Sequence, residues 1–158
     1  MSGARWVMTK AEAKAFFEDG NASARKPNTM IGIDPGTNTG VAIKLNGNLV
    51  GVDTMTIIEA INCVSGWAEN QKDDVLVRIE DARLRTYFGK SGSEKWKGAG
   101  SIMRDCAIWE DEMKRQGIMY EMVHPKNVKA TTAEQFKALT GWKYRTSIHA
   151  REAAWMII

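Results

Sequence analysis

The sequence predicts an α/β fold, because apolar runs of strand length alternate with segments of helical periodicity. Five runs have the composition of strands, and they lie at residues 29–34, 40–45, 48–53, 75–81 and 120–123. Helices are predicted from the spacing of apolar residues, at 54–70, 98–116, 132–139 and from Ser147 onward. The turn Asp34-Pro35-Gly36 and the hairpin signal Asn46-Gly47 join the first three strands into an antiparallel meander.

The size and composition describe one soluble globular domain. A chain of 158 residues with 44% hydrophobic and 26% charged residues fits this class. Without a run of bilayer length or a signal-peptide core, we expect a cytoplasmic protein with no membrane partner. Cys63 and Cys106 lie in helical patterns and are interpreted as reduced core residues. Residues 1–28 are interpreted as an appendage or linker, and residues 29–158 as the folded domain.

Two acids stand where predicted strands end. Asp34 closes the first strand and faces the loop side, where a metal or a phosphate can reach it, although a turn-capping aspartate explains it equally well. Glu80 lies near the end of the fourth strand, where a buried carboxylate is costly unless it is paired or binds a cation. If the two strands are parallel neighbours, Glu80 lies beside Asp34 and the pair predicts a magnesium site. Asp81 fits a solvated loop acid better.

Positive charge is concentrated in two stretches, although the net charge is only +3. Residues 83–104 and residues 126–151 each carry six basic residues and one acid. This segregation predicts a side that faces phosphates, and solvated loops are the alternative explanation.

The loop at residues 82–98 combines basic, aromatic and glycine residues and is too long for a plain connector. Basic groups suit backbone phosphates and aromatic rings suit stacking on unpaired bases, so the loop predicts nucleic-acid binding through Arg83, Arg85, Tyr87, Phe88, Lys90, Lys95 and Lys97. Local packing over the next helix explains Tyr87 and Phe88 equally well. Further phosphate contacts are predicted after the fifth strand and before the last helix, at Lys126, Lys129, Lys143 and Arg145.

The last predicted helix carries His149 and Glu152 three residues apart, which places both on one face. Thr146 or Ser147 caps this helix, and alanines on it permit a close approach to the sheet. Taken alone, a surface His–Glu pair is the favoured interpretation.

The order of these features resembles the RuvC family of Holliday-junction resolvases, within the ribonuclease H-like superfamily, over residues 30–158. The shared pattern is a strand ending in Asp-Pro-Gly, a hairpin, a helix, a second strand with an acid, a basic loop, a helix, a strand and a helix with His-x-x-Glu. The resemblance implies a mixed five-stranded sheet flanked by helices. Sugar kinases and actin-like ATPases open similarly but need two domains, so no nucleotide cofactor is expected.

The resemblance also implies the catalytic and metal-binding residues Asp34, Glu80, His149 and Glu152. Glu152 stands where the family usually has Asp, which leaves open whether it contacts metal directly or through water. Two Mg²⁺ or Mn²⁺ ions about 4 Å apart would be expected, with Asp34 bridging them. One ion would activate the attacking water and the other would stabilise the leaving 3′ oxygen. Whether His149 binds metal, orients the water or accepts its proton stays open.

Resolvases of this family act as homodimers on four-way DNA junctions, so both partners are expected here. Lys126 and Lys129 match a Pro-x-x-Val-Lys segment of the family. The family has an aromatic wedge just after its Glu; Arg83 stands there in this chain, so Tyr87 or Phe88 becomes the wedge candidate, in keeping with a phage-type member. An RNA-processing nuclease or nucleic-acid-binding factor of the related YqgF type is the alternative.

Overall fold

The computed structural model describes residues 26–85 and 93–158, with residues 93–97 described by their backbone alone. The described strands form one five-stranded sheet in the order β3-β2-β1-β4-β5. They are β1 (Thr29–Asp34), β2 (Thr39–Leu45), β3 (Asn48–Met55), β4 (Val75–Glu80) and β5 (Met119–Val123). The first three strands are an antiparallel meander, and β4 and β5 continue the sheet parallel to β1. The predicted mixed five-stranded α/β fold is confirmed.

Four α-helices accompany the sheet in the described part of the chain. They are α1 (Ile57–Ala68), α2 (Ser93–Gln116), α3 (Ala133–Thr140) and α4 (Ile148–Trp155). Helix α2 begins at Ser93, earlier than predicted, because a glycine inside a helix costs only about 1 kcal/mol and does not terminate it. A Cβ atom at Gly98 or Gly100 would meet no atom within 4 Å, so within the described chain neither glycine serves a close approach.

The sheet has a core on each face. Alternation along β1 turns Ile31 and Ile33 toward α1 and α2, where they pack in one buried cluster with Val64 and Trp109. The opposite face carries a second cluster that joins residues of β2 and β3 to α3 and α4. The central strand is therefore covered on both sides, and its end is a rigid place from which to present a side chain.

Helix α4 lies directly on the backbone of β1 and β2. A Cβ atom at Gly32 would lie 1.9 Å from the carbonyl oxygen of Ala153, and one at Gly40 would lie 2.1 Å from the carbonyl oxygen of His149. Such distances are impossible for real atoms, so glycine is required at both positions. Gly40 belongs to β2, where it pairs with Asp34, in agreement with the predicted strand.

Both cysteines are free thiols in the structure, with Cys106 buried and Cys63 half-buried. No helix in residues 26–85 and 93–158 has the length and apolar character needed to cross a membrane. The main-chain nitrogen and side-chain amide of Asn28 donate to the carboxylate of Asp74, each at 2.9 Å, so the chain is already tied to the domain just before β1.

Candidate active site

Asp34 and Glu80 end neighbouring parallel strands. Ile33 of β1 pairs with Ile79 of β4, so the next residue of each strand reaches the same edge of the sheet. Asp34 is buried, with 8% of its surface exposed, and the side chain of Glu80 is 14% exposed. The fold thus brings together two carboxylates that lie far apart in the sequence.

Helix α4 adds an imidazole and a third carboxylate at this edge. The Ser147 hydroxyl caps the helix by accepting a hydrogen bond from the Ala150 nitrogen at 3.0 Å, and it also bonds the hydroxyl of Thr54 on β3. The first turn therefore starts at a fixed point. His149 Nδ1 lies 2.8 Å from Asp34 Oδ2.

One ligand atom from each of Asp34, His149 and Glu152 lies within 4.8 Å of the others. Glu80 is not part of this tight group, but it is close enough that the charges of Glu152 and His149 act on its pKa. We refer to the four residues Asp34, Glu80, His149 and Glu152 as the acidic centre. The predicted site residues thus lie at one place, with Glu80 at its margin.

The acidic centre is electrostatically crowded. Burial, followed by the charges of Glu80 and Glu152, raises the pKa of Asp34 to about 8 against the opposing effect of Arg85. Burial also raises the pKa of Glu80, reinforced by Glu152 and opposed by Arg85 and His149. Carboxylates held in this way are stabilised in their ionised form by a cation between them.

The donor set fits a hard divalent ion. The carboxylate oxygens suit Mg²⁺ or Mn²⁺, and the raised pKa values of Asp34 and Glu80 are the property expected of ligands without their cation. Asp34 and Glu152 would hold such an ion, with Glu80 on the adjacent strand and the imidazole of His149 bonded to Asp34.

Arg85 borders the acidic centre. Its Nη2 atom lies 3.9 Å from Glu80 Oε1, and half of its side chain, 51%, is exposed. The guanidinium therefore faces both the acids and the solvent from which a phosphate would arrive. This position agrees with the predicted role of Arg85 as a phosphate contact, which remains a prediction.

Asp81 and Arg83 do not have the environments that the sequence suggested. Asp81 is 3% exposed, and it accepts hydrogen bonds at 2.8 Å from Nε and from Nη2 of Arg83. Arg83 Nη2 also donates to Glu110 Oε2 at 2.7 Å, and the bonds to Asp81 raise the pKa of Arg83. Asp81 is thus a buried, paired acid and not a solvated loop acid. Arg83 is engaged within the chain, which gives it a structural role, and its predicted DNA contact remains a prediction.

The other predicted DNA contacts are spread over the surface. Lys126, Lys143 and Arg145 are exposed, and Lys129 places its ammonium group 5.8 Å from the ring centre of Trp155. Trp155 follows His149 by six residues, or about 9 Å along the helix axis. Lys129 therefore lies beside the last turn of α4, whereas His149 is in its first turn. Tyr87, Phe88 and Lys90 lie outside the described residues, as do the side chains of Lys95 and Lys97.

Sequence reasoning missed the residues that seat α4. Gly32 and Gly40 lie inside strands, where a glycine signals a bulge or a close backbone approach, and this signal could have identified them. Arg151 belongs to the second basic stretch, but its Nε donates to the Thr131 carbonyl at 2.7 Å and its Nη1 to the Thr146 carbonyl at 2.9 Å. Arg151 thus fixes the segments that precede α3 and α4.

A cavity of about 590 Å³ lies elsewhere, lined in part by Lys44, Leu49 and Trp155. Lys44 pairs with Met30 near the start of β1, whereas Asp34 at the end of β1 pairs with Gly40. The cavity is therefore at the opposite end of the sheet from the acidic centre, and it takes no part in the site.

Comparison of the sequence with protein families gives no match, and comparison with curated proteins gives none. Among solved structures, the chain is similar to RuvC of T. thermophilus in complex with a Holliday junction substrate, with a TM-score of 0.50 and 17% identity. The match covers 80% of this chain and 88% of that chain. The chain has a RuvC-like fold. At this identity the RuvC likeness establishes the fold, in agreement with the resemblance found in the sequence.

Proposed function

We propose that the protein is a structure-selective endonuclease that cleaves four-way DNA junctions by metal-dependent hydrolysis of a phosphodiester bond. The main support is the acidic centre, in which an aspartate at the end of the central strand meets His149 and Glu152 of one helix within 4.8 Å. The fold adds support, because the similar RuvC was solved with a Holliday junction substrate.

The acidic centre would hold the Mg²⁺ or Mn²⁺ ions through Asp34, Glu152 and Glu80. Bound divalent ions would supply charge neutralisation at the scissile phosphate and a more acidic water. When Asp34 is ionised it accepts the Nδ1 hydrogen of His149, which fixes the tautomer whose lone pair is on Nε2. That side chain is 48% exposed, so Nε2 is open to a water molecule that approaches from the solvent.

His149 Nε2 would act as the proton acceptor in hydrolysis. The oxygen of the attacking water forms a bond to phosphorus while its proton passes to His149 Nε2. The bond between phosphorus and the 3′ oxygen breaks, the electron pair stays on the 3′ oxygen, and this oxygen takes a proton from solvent to become a hydroxyl group. The products are a 5′ phosphate and a 3′ hydroxyl at a nick. Arg85 faces the same space and would contact a phosphate oxygen there.

A homodimer would present two acidic centres to the two symmetric strands of a junction. Exposed Lys126, Lys143 and Arg145 would contact the DNA backbone around each centre and confer salt-dependent affinity.

The decisive experiment is a nicking assay on four-way, flap and linear DNA with and without Mg²⁺. Asp34→Asn should abolish junction nicking and preserve the gel shift, since the amide cannot supply a charged ligand. Asp111→Asn, an exposed acid on α2, is the matched control and should nick normally. Normal nicking by Asp34→Asn would exclude this proposal. Displacement of a labelled junction by structured RNA at equal concentration would favour an RNA-processing role instead.

A further inference from the structure

The loop between α3 and α4 presents an aromatic side chain to the solvent. Tyr144 is 77% exposed, more than any other large hydrophobic side chain in the described part of the molecule. Its neighbours Lys143 and Arg145 are exposed as well. A single exposed apolar residue is ordinary, but a ring between two exposed cations combines the groups that bind a base and its flanking phosphates.

The ring of Tyr144 is supported from the side of the core. It meets Trp142 in an edge-to-face arrangement, with ring centroids 5.6 Å apart and planes at 68°. Trp142 packs against the buried cluster that contains Phe136, and its main-chain nitrogen donates to Thr140 Oγ1 at 3.1 Å. The Tyr144 ring is therefore supported by a side chain that is packed on the core, although the ring itself is exposed.

The far end of the loop is fixed too. Arg151 Nη1 donates to both the carbonyl and the hydroxyl oxygen of Thr146, at 2.9 and 3.1 Å, and Ser147 then caps α4. Tyr144 precedes His149 by five residues, a span of at most about 18 Å. A nucleotide strand has a spacing of about 3.4 Å per step, so a base on Tyr144 would lie within about five steps of the acidic centre.

We propose that Tyr144, with Lys143 and Arg145, forms a stacking site for an unpaired nucleic-acid base beside the acidic centre. The ring would stack on the base, and the two cations would contact the phosphates on either side. An ordered ring loses little conformational entropy on binding, which favours stacking over a mobile side chain. The further claim that this stacking site determines substrate choice rests on the proposed nuclease function.

The site would favour branched over linear substrates. In an intact duplex both faces of each base are covered by neighbours, so Tyr144 has no open face to stack on without unstacking a step. Bases at a crossover or in a single strand offer such a face.

The test uses two probes, a short single-stranded oligonucleotide and a four-way junction, each labelled with 2-aminopurine. Tyr144→Ala should weaken oligonucleotide binding by about 5- to 100-fold and abolish the fluorescence change caused by stacking. Tyr144→Phe keeps the ring and should bind within about twofold of the wild type. Leu139→Ala removes another exposed apolar side chain, 57% exposed, and should have no effect.

The possible outcomes separate the two proposals. Suppose that Tyr144→Ala keeps the oligonucleotide affinity and fluorescence of the wild type, and that the wild type nicks junctions. This result would overturn the stacking site alone. Loss of binding in Tyr144→Ala, in a protein that never nicks a junction, would support the stacking site and overturn the nuclease. A wild-type protein that binds neither probe would overturn both. Because Tyr144 is exposed, its variants should fold normally. An unfolding temperature equal to that of the wild type verifies this.

Discussion

His149 Nδ1 lies 2.8 Å from Asp34 Oδ2, although the two residues are separated by 115 positions in the sequence. The contact joins the end of the central strand to the first turn of a helix that rests on that strand. Asp34 is thus buried beside other acids and bonded to an imidazole. The protonation of Asp34 should therefore control the stability of the metal-free protein.

Metal-free protein should lose stability as the pH rises from about 4 to about 8. Asp34 has its pKa raised from 3.8 to about 8, so in this interval the folded state keeps a proton that the unfolded state has released. Asp34→Asn should flatten this dependence and stabilise the metal-free protein near pH 8 by on the order of 1–3 kcal/mol. Thermal unfolding in a chelator over this pH range measures it.

Added Mg²⁺ should restore the stability that the wild type loses at alkaline pH, because a ligand that binds only the folded state stabilises it, and it should not stabilise Asp34→Asn. Equal Mg²⁺ stabilisation of both proteins would contradict the assignment of Asp34 as a ligand.

Gly40→Ala should disrupt the acidic centre. The added methyl group would lie 2.1 Å from the His149 carbonyl oxygen, which is backbone and cannot turn away, so α4 must shift. We expect at least about a tenfold loss of Mn²⁺ affinity by calorimetry, since ligand positions are needed to within about 0.5 Å.

Gly51→Ala is the matched control for this substitution. Gly51 lies in β3, and a Cβ atom there would make ordinary contacts of 3.5 Å or more with Ile43. Its Mn²⁺ affinity should equal that of the wild type. A Gly40→Ala protein with unchanged affinity would show that the position of α4 does not depend on this contact.

Arg85→Ala should tighten metal binding while weakening substrate binding. Arg85 opposes the raised pKa values of Asp34 and Glu80, so its loss leaves the acids with less compensation and increases their attraction for a cation. Because Arg85 is half-exposed, we expect only about a 3- to 10-fold gain in Ca²⁺ affinity. The KM for junction DNA should rise. Arg104→Ala, on an exposed part of α2, should leave Ca²⁺ affinity unchanged.

Arg83→Ala should destabilise the fold. It would leave the carboxylate of Asp81 buried without its guanidinium, and breaking a pair of this kind costs about 2–4 kcal/mol after allowance for the partial exposure of Arg83. Urea unfolding measures the loss. Arg115→Ala removes a surface partner of Glu112 and should unfold at the same urea concentration as the wild type. Similar midpoints for the two variants would contradict a structural role for Arg83.

Patterns of local sequence predicted the sheet and most helix limits, because strand alternation, Asn46-Gly47 and the capping residues Thr132 and Ser147 are local signals. The position of Glu80 beside Asp34 followed from a parallel pairing of two strands, which the structure has. These elements required no knowledge of distant contacts beyond one pairing.

The partners of charged residues could not be predicted in this way. Asp81 and Arg83 are near neighbours, but Arg83 also donates to Glu110, which lies in a helix 27 positions further along the chain. Arg151 likewise donates to two carbonyl groups, and it can do so only because the fold places the loops before α3 and α4 beside it. A basic residue in a sequence predicts a positive charge, but the groups that it contacts depend on which acceptors the fold brings within reach.

The contact of α4 with Gly32 and Gly40 joins main chain to main chain, with no side chains between them. Such a joint has no rotamers through which to adjust, so His149 and Glu152 are aligned as soon as the domain folds, before any ion or DNA arrives. The outer surface of the same helix is free of this constraint, and a substitution library there should alter affinity for nucleic acid without disturbing the alignment of the two residues.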